Sequence, residues 1–366
     1  MASLDDTFAD LRRWPDVEAD NLFAYDATDR LILELAAPLL AGSNLAIIGD
    51  NYGALTVGAG TPSRVHQDEL LGELALKANA KATGSAYTNH ALGQSLLDGA
   101  TLVLMQIPRT LAELEEQLDA IARYADPAVV VIAGGRIKHL TPAMNALMLR
   151  FFGRLDVSLA QQKSRAFTLR TPLPVGEPAY PKTELHRGVG LTVAAHGGVF
   201  AGTAIDIGTR LLLTTLPKIT IDAGTAVDLG SGSGVLAASI ARLKPAMRVI
   251  ASDQSTAAVA STRLTAELNG VADRVEVVRD DGLALQRSGS VDLVLLNPPF
   301  HIGATVHTGL ALRMFDEAAR VLRPGGELWT VFNTHLGYRQ ALARIVGPTE
   351  LVTHNAKFTV TVSRRA

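Results

Sequence analysis

Cysteine is absent from the 366 residues of the chain, and this absence excludes several kinds of chemistry. Disulfide bonds, thiolate metal sites and cysteine nucleophiles cannot form. Methyl transfer to the C5 carbon of a pyrimidine through a cysteine adduct is excluded for the same reason. The chain must therefore work without a thiol, and its sequence gives no reason to expect a bound metal.

A charge excess and long apolar runs are also lacking. Lys and Arg number 34 and Asp and Glu number 36, so a nucleic-acid partner would have to meet a local basic patch. No apolar run approaches the roughly 20 residues of a membrane-spanning helix. The acidic N-terminus, residues 1–10, lacks the apolar core of a signal peptide. We expect a cytoplasmic protein without membrane contact and, since no exposed apolar seam is evident, a monomer.

The composition allows two domains of ordinary size. Apolar residues make up 48% of the chain and charged residues 19%, which is enough for two cores and argues against long disordered tails. Four prolines cluster near the middle and indicate an extended linker or surface loop. They are Pro172, Pro174, Pro178 and Pro181. We therefore predict one domain over residues 1–175 and a second over residues 183–366.

The second half alternates strand and helix patterns. Such alternation predicts an α/β fold with a doubly wound, mostly parallel sheet covered by helices on both faces. The predicted strands cover residues 226–228, 248–253, 275–279, 291–296 and 327–332, and the predicted helices begin at 235, 256 and 311. The segment Arg323-Pro324-Gly325-Gly326 is predicted to end the third helix.

The first half resembles a degenerate copy of the second. Residues 46–53 align without gaps to residues 227–234, and residues 102–109 align to residues 293–300. The apolar strands are retained but the polar residues differ, since Ile47 replaces Asp228, Asn51 replaces Gly232, Gln106 replaces Asn297 and Arg109 replaces Phe300. These matches predict a duplicated domain whose N-terminal copy has lost its ligand site, although two unrelated α/β domains could match by chance.

A glycine-rich turn follows the first strand of the second half. Gly230, Gly232 and Gly234 let the backbone approach a ligand closely, and amides at the start of the next helix face that ligand. A dinucleotide fingerprint would need its third glycine at position 235, where the chain has Val235. The spacing, preceded by Asp228, is that of methyltransferases. It predicts S-adenosylmethionine as the cofactor.

Acidic residues end the next two strands. Asp253 is placed to accept hydrogen bonds from both ribose hydroxyls, as an acidic residue of a dehydrogenase would also be. Asp280 and Asp281 follow the third strand, where a carboxylate can accept from the adenine amino group. We predict Asp281 for this role, and either aspartate could instead be a solvated loop residue.

Asn297-Pro298-Pro299-Phe300 follows the apolar strand at 291–296. An amine conjugated to a ring is a poor nucleophile, because its lone pair is delocalised. The Asn297 side-chain oxygen and the Pro298 carbonyl can each accept one N–H, which aligns the nitrogen with a sulfonium methyl. Proline restrains the turn, and Phe300 offers a stacking face to an unpaired or flipped-out base.

Taken together, these residues resemble the bacterial tandem-domain ribosomal RNA guanine-N2 methyltransferases. The resemblance is carried by Gly198-Val199-Phe200, the segment Asp206 to Leu213, the glycine turn and Asn297 to His301, and it extends over most of the chain. It implies two Rossmann-like methyltransferase domains, of which the degenerate N-terminal one assists RNA recognition. It also implies that Phe200, Gly208 and Thr209 lie beside the cofactor or the base.

The resemblance is stronger to the members that act on 23S rRNA than to those that act on 16S rRNA. His301 adjoins the Asn297 turn, and we expect it to contact the base or the RNA. Arg109 lies at the counterpart of that turn in the N-terminal copy, and we expect it to contact phosphate, with Arg136 and Lys138 extending the same patch. Residues 302–309 depart from the family pattern, so the choice of substrate stays open.

Two other functions stay open on the sequence alone. Methylation of a glutamine N5 in a translation factor uses the same turn, usually with Tyr at the position of Phe300. A non-catalytic RNA-binding factor would not need Asp228, Asp253 and Asn297.

Overall fold

The computed structural model describes residues 4–299 and 304–366, and within them the chain forms two compact units. Unit 1 is Met1–Tyr180 and unit 2 is Pro181–Ala366. Residues 173–181, which contain three of the four clustered prolines, have no helix or strand. None of the described helices is both long enough and apolar enough to cross a membrane.

Unit 1 is built on a seven-stranded sheet in the order β3-β2-β1-β4-β5-β7-β6. Strands β1 to β5 run parallel, and β7 and β6 are antiparallel additions at one edge. The strands are β1 Leu45–Ile48, β2 Ser63–His66, β3 Tyr87–Asn89, β4 Leu102–Gln106, β5 Val130–Arg136, β6 Phe152–Val157 and β7 Ser164–Pro172. The helices are α1 Leu4–Ala9, α2 Ala27–Ala36, α3 Ala54–Ala59, α4 Leu70–Thr83, α5 Gln94–Leu97, α6 Leu111–Tyr124 and α7 Pro142–Phe151.

Unit 2 opens with a hairpin, β8 paired with β9, and continues into a second seven-stranded sheet in the order β12-β11-β10-β13-β14-β16-β15. Its strands are β8 Lys182–His186, β9 Leu191–Ala195, β10 Ala223–Leu229, β11 Ala246–Asp253, β12 Val275–Arg279, β13 Val291–Leu296, β14 Leu322–Asn333, β15 Thr349–His354 and β16 Phe358–Arg364. Its helices are α8 Ile207–Leu213, α9 Val235–Leu243, α10 Thr256–Leu268, α11 Ala304–Val321 and α12 Arg339–Ile345.

Each sheet separates two apolar cores because successive strand residues face opposite sides. In β1, Ala46 and Ile48 belong to one core, while Leu45 and Ile47 belong to the other. The central strands of unit 2 divide their side chains in the same way between two clusters. The predicted α/β fold with two mostly parallel, doubly covered sheets is therefore confirmed.

The third predicted helix of the second half ends at Val321 as predicted, but its start and the predicted turn after it are wrong. Helix α11 begins at Ala304 rather than at 311, and Arg323 to Gly326 belong to β14 instead of a turn before it. Backbone pairing explains the difference, since Leu322 already pairs with Val291 and Gly325 donates its N–H to the Arg365 carbonyl at 2.8 Å. A Pro-Gly-Gly segment can thus be part of a strand where a bulge shifts the register.

The two sheets have the same strand order, and their central strands also have the same register. In unit 1, Ala46 pairs with Val103. In unit 2, the residues aligned to them, Val227 and Val294, pair in the same way. Chance similarity of apolar strands would not make two separate alignments agree in register, so the structure supports a duplication.

Candidate active site

The glycine turn joins the end of β10 to the start of α9 in unit 2. Gly230, Gly232 and Gly234 have φ values of +74°, +54° and +77°. The N–H groups of Gly230 and Ser231 both donate to the Ser252 carbonyl, at 2.8 and 3.0 Å. These bonds fix the turn to the end of β11 without any ligand.

Gly232 and Gly234 serve different purposes. A Cβ at Gly232 would meet no heavy atom of the described residues within 4 Å, so the backbone there faces open space. A Cβ at Gly234 would lie 2.9 Å from the Cα atom of Thr262 on α10. Gly232 thus leaves room for a ligand above the turn, whereas Gly234 lets the turn pack against a helix.

Asp228 lies behind the turn, with only 1% of its surface exposed. Its Oδ2 atom accepts a hydrogen bond from the Ala237 N–H at 2.8 Å, which anchors the first turn of α9 to the sheet. Burial raises the pKa of Asp228 to about 7, although the bond from Ala237 acts in the opposite direction. The residue supports the turn from the side of the strand.

Asp253 ends β11 and reaches the same turn. Its Oδ2 atom accepts from the Gly232 N–H at 2.9 Å, and its Oδ1 atom accepts from the Ser255 N–H at 3.0 Å. The structure therefore brings together Gly232 and Asp253, which the sequence predicts as cofactor ligands. Ligand hydroxyls are among the groups that can donate a hydrogen bond to a carboxylate.

Asp280 and Asp281 differ in their surroundings. Asp280 is buried, accepts from the Leu285 N–H at 2.9 Å, and has a pKa raised by its burial. Asp281 is partly exposed and forms an ion pair with Arg313 of α11 at 3.1 Å. Asp280 therefore braces the loop, and Asp281 is the more accessible of the two for an adenine amino group.

Asn297 and Pro298 follow β13, the strand beside β10. Leu229 pairs with Leu296, so Gly230 and Asn297 are the first residues after two neighbouring parallel strands. Asn297 is partly buried, Pro298 is buried and Pro299 is exposed. The predicted residues Phe300 and His301 lie outside the described residues.

The Asn297 side-chain amide is hydrogen-bonded through its nitrogen and not through its oxygen among the described residues. Its Nδ2 atom donates to Asp206 Oδ2 at 3.2 Å and to Thr209 Oγ1 at 2.9 Å. Its Oδ1 atom is buried and has no hydrogen-bond partner among the residues that the structure describes. A buried acceptor without a donor is rare in proteins and marks a place where a ligand can donate.

Asp206 to Thr209 form the start of α8, the helix before β10. Asp206 is the N-cap and accepts from the N–H groups of Gly208 and Thr209. A Cβ at Gly208 would lie 3.0 Å from Asp206 Oδ2 and 3.1 Å from the Phe358 ring, so the glycine permits this packing. Phe200 is 63% exposed in the preceding loop.

The contact between Asp206 and Asn297 joins residues 91 positions apart, and sequence reasoning did not predict it. The N-cap role of an aspartate before Ile-Gly-Thr could be predicted locally. Its second partner depends on the sheet, which brings the start of α8 to the end of β13. Arg313, the partner of Asp281, was missed for the same reason.

Unit 1 keeps the turn and replaces its ligand groups. Asn51 has a φ of +50°, near that of Gly232, and the Gly49 N–H donates to the His66 carbonyl at 3.0 Å. Gln67 follows β2 as Asp253 ends β11, but it donates its amide to the Asn51 carbonyl at 2.5 Å. A carboxylate acceptor in unit 2 thus corresponds to an amide donor in unit 1, which closes the turn on itself.

Backbone N–H groups at the start of the helix after this turn are also hydrogen-bonded within the protein. Asp50 accepts from the N–H groups of Leu55 and Thr56 at 2.6 and 2.9 Å, at the start of α3. Burial raises the pKa of Asp50 to about 6, despite the hydrogen bonds from Thr56 and Leu55. These bonds give a physical reason for the degenerate character of unit 1, because the backbone donors that would face a ligand are already used.

Positive side chains gather where β4 and β5 of unit 1 end. Arg109 and Lys138 are exposed, and Arg136 lies 3.9 Å from Asp26 and 3.5 Å from the Ser164 hydroxyl. The pKa of His139 is lowered by partial desolvation and then by the charges of Arg109, Lys138 and Arg136. The predicted cations therefore surround one histidine, and we call Arg109, Arg136, Lys138 and His139 the basic patch.

Across residues 4–299 and 304–366, no group of three or more His, Asp or Glu side chains is arranged to hold a metal ion. The described polar residues of unit 2 instead converge on the carboxyl ends of β10, β11, β12 and β13. This is the edge where open parallel sheets bind their ligands.

Comparison with known families covers nearly the whole chain. The RLMG N-terminal domain family matches residues 1–172, and the Methyltransferase small domain family matches residues 190–362. Among solved structures, the T. thermophilus 16S rRNA N2 methyltransferase RsmC, in complex with AdoMet and guanosine, is similar with a TM-score of 0.73. It is 21% identical, covers 93% of this chain and 92% of its own, and so supports the fold.

Relatives of higher identity come from Streptomyces and Pseudomonas. The ribosomal RNA large subunit methyltransferase G of Streptomyces avermitilis is 37% identical, over 96% of this chain and 95% of the relative. The protein of the same name from Pseudomonas aeruginosa strain PAO1 is 36% identical, over 96% of each chain. Since both the family matches and these relatives extend over both units, the chain belongs to the ribosomal RNA large subunit methyltransferase G family.

Proposed function

We propose that the protein is an S-adenosylmethionine-dependent methyltransferase that methylates the exocyclic N2 of a guanine in 23S ribosomal RNA. The observation that carries the chemistry is the buried Asn297 Oδ1 atom, which has no partner among the described residues. Asn297 directly follows β13, and the glycine turn directly follows the neighbouring strand β10. The names of the relatives support the large-subunit RNA as substrate.

The cofactor is assigned to the carboxyl edge of the unit 2 sheet. Gly232 leaves open space above the turn, and Asp253, which accepts from the Gly232 N–H, is assigned to the ribose hydroxyls. Asp281 is the assigned partner of the adenine amino group. When bound, S-adenosylmethionine supplies an electrophilic methyl on a sulfonium centre.

Asn297 and Pro298 are assigned to the nucleophile. The Asn297 Oδ1 atom and the Pro298 carbonyl each accept one N–H of the guanine amine, which turns the nitrogen lone pair towards the methyl. Holding two reacting groups in line supplies the acceleration, and no covalent intermediate is needed. The chemistry suits a chain without cysteine. The guanine must be unpaired or flipped out for its amine to reach this depth.

Unit 1 is assigned to RNA recognition. It has the backbone of a methyltransferase domain without its ligand groups, and it has the basic patch. We assign residues 1–175 to RNA recognition and residues 183–366 to catalysis. Since bacterial ribosomal RNA is made and modified in the cytoplasm, the proposal implies a cytoplasmic enzyme, acting as a monomer.

The test uses purified protein, S-adenosylmethionine labelled in its methyl group, and unmethylated 23S and 16S rRNA. We expect label in 23S rRNA, recovered as N2-methylguanosine. Asn297→Ala should lower kcat by at least about 100-fold, because the amine loses its alignment, while the Kd for S-adenosylmethionine stays within about 2-fold.

The matched control is Asn89→Ala, which removes an exposed asparagine that also ends a parallel strand, but in unit 1. It should leave kcat unchanged. Label in 16S rRNA alone would show that the substrate is the small-subunit RNA. Label only in a protein glutamine would show that the substrate is a protein rather than RNA. Binding of S-adenosylmethionine without transfer to any of these would contradict the proposal.

A further inference from the structure

The Asn297 side chain uses all of its donor capacity within the protein. A primary amide has two N–H groups, and both are taken, one by Asp206 Oδ2 and one by Thr209 Oγ1. What remains is Oδ1, which is buried and has no partner among the described residues. The amide therefore offers a single function, that of an acceptor.

Asp206 determines which end of the amide points outward. A carboxylate only accepts hydrogen bonds, so an amide rotated by half a turn would place its oxygen against the Asp206 carboxylate and lose that bond. Asp206 is itself fixed as the N-cap of α8, where Oδ2 also accepts from Gly208 N–H at 2.9 Å and Thr209 N–H at 3.3 Å. Thr209 Oγ1 can accept the second N–H without a charge.

We propose that Asp206 and Thr209 are positioning residues that lock the Asn297 amide with its oxygen towards the target amine. The proposal rests on the function proposed above and assigns to Thr209 a role through Asn297 rather than through the cofactor. An amide free to turn over would present N–H to N–H for part of the time. Locking removes that unproductive orientation before the substrate arrives.

Unit 1 contains the same link in a domain without the ligand groups. Gln106, the counterpart of Asn297, donates Nε2 to Asp29 Oδ1 at 2.6 Å. Asp29 is the third residue of α2 after its N-cap Asp26, just as Thr209 is the third residue of α8 after Asp206. The duplication thus supplies an internal control for a purely structural role of the link.

Each of the two test variants removes one acceptor of the Asn297 amide. Asp206→Gly leaves a residue that is tolerated at an N-cap but has no side-chain acceptor, so it releases the lock. Thr209→Val removes the hydroxyl acceptor, and Thr209→Ser retains it. The matched control, Gln106→Leu, cuts the equivalent link in unit 1.

We would measure kcat and KM on unmethylated 23S rRNA with the full-length chain, together with the Kd for S-adenosylmethionine and the melting temperature. Asp206→Gly and Thr209→Val should each lower kcat at least about 10-fold, with KM and the cofactor Kd within about 2-fold of wild type. Thr209→Ser should restore most of the activity, and Gln106→Leu should lower the melting temperature without changing kcat.

Two kinetic outcomes would overturn the proposal. One is a kcat within 2-fold of wild type in both variants. The other is a loss that appears as a raised cofactor Kd with kcat preserved at saturation, since it would make these residues cofactor ligands.

A readout without turnover separates this proposal from the proposed function. With asparagine labelled by ¹⁵N, the Asn297 side-chain signals are identified by their loss in Asn297→Ala. Their hydrogen exchange should be slow in wild type and at least about 10-fold faster in Asp206→Gly. Equal exchange rates would contradict the lock even if the enzyme acts on RNA. Slow exchange without any methyl transfer would retain the lock and reject the function.

Discussion

At the scale of single residues, three buried aspartates are the most unusual groups of the chain. Asp29, Asp50 and Asp228 each have at most 3% of their surface exposed. Burial is the main cause that raises their pKa values, to about 8, 6 and 7. Each accepts a backbone N–H near a helix start or turn, so they are retained as acceptors although their charge is costly to bury.

These pKa values have a direct consequence for stability. A carboxyl whose pKa is raised in the folded state holds its proton there, while the unfolded chain releases it near the ordinary value of 3.8. Between about pH 4 and pH 8 the folded state therefore binds more protons than the unfolded state. The contribution of these carboxyls to the free energy of unfolding is fully present below that interval and is lost as the pH rises through it.

Asp29→Asn should remove the largest part of this fall. An asparagine accepts from the Asp26 N–H and, with the Gln106 amide reversed, donates to its oxygen, so both links of Asp29 are kept without a charge. We expect the margin by which the variant exceeds wild type in free energy of unfolding to be larger at pH 8.5 than at pH 5 by about 1–3 kcal/mol. Urea unfolding at both pH values measures this. The exposed Glu18→Gln is the control, and an equal gain at both pH values would contradict the argument.

At the scale of elements, the same strand–turn–helix backbone occurs in both units, with an open turn in unit 2 and a turn closed by its own side chains in unit 1. In unit 2, Asp228 anchors α9 from the strand and leaves the turn open. In unit 1, the anchoring aspartate has moved into the turn as Asp50 and takes the helix amides itself. The shape of the turn is preserved by Asn51 at φ +50°. The two units thus share the backbone of this turn and differ in the side chains that contact it.

The glycines of this element should separate binding from stability. Gly232→Ala places a methyl group in open space at positive φ, so it should cost about 1–2 kcal/mol of stability and raise the cofactor Kd at least about 10-fold. Gly234→Ala meets the Thr262 backbone at 2.9 Å and should cost more, roughly 2–4 kcal/mol.

Gly53→Ala is the matched control in unit 1, where the added Cβ would lie 2.9 Å from Leu76 Cδ1. It should lower stability without changing the cofactor Kd. Calorimetric titration and thermal unfolding measure both quantities. Wild-type cofactor affinity in Gly232→Ala would show that the space above the turn is not used.

At the scale of the whole molecule, the chain carries two sheets of identical order, of which one keeps ligand groups and the other carries the basic patch. A nearly neutral chain has no general attraction for RNA, so phosphate contacts must come from local groups. Arg109 and Lys138 are the exposed members of the patch.

Charge reversal tests the patch. Arg109→Glu combined with Lys138→Glu should weaken RNA binding and reduce the slope of log affinity against log salt by roughly 1.5–2, as expected for two lost phosphate contacts. Filter binding of unmethylated 23S rRNA at several salt concentrations gives the slope. Lys77→Glu with Lys81→Glu makes the same change of net charge on exposed positions of α4 and should leave the slope unaltered. An unchanged slope in the Arg109→Glu, Lys138→Glu variant would show that the basic patch does not contact RNA.

Local patterns determined much of the fold and the outline of the site. Residues 275–279 and 291–296 are strands with the predicted bounds, and α10 covers the predicted residues 256–268. Apolar runs and turn residues suffice for this because buried parallel strands must be apolar throughout. The antiparallel strands and the β8–β9 hairpin were not predicted. Of these, β6, β8 and β15 are largely exposed and so lack that pattern.

The sequence by itself determined which residues follow the parallel strands, and parallel strands end at one edge, so Gly230, Asp253 and Asn297 were predicted as neighbours of one ligand. Only the tertiary structure decided how each side chain is used. In the folded chain, Asp206 accepts from the Asn297 amide across 91 positions of sequence. Asp281 pairs with Arg313, and Gln67 closes the unit 1 turn. These contacts depend on the docking of helices and loops onto the sheet, and no local pattern encodes which distant side chain will arrive there.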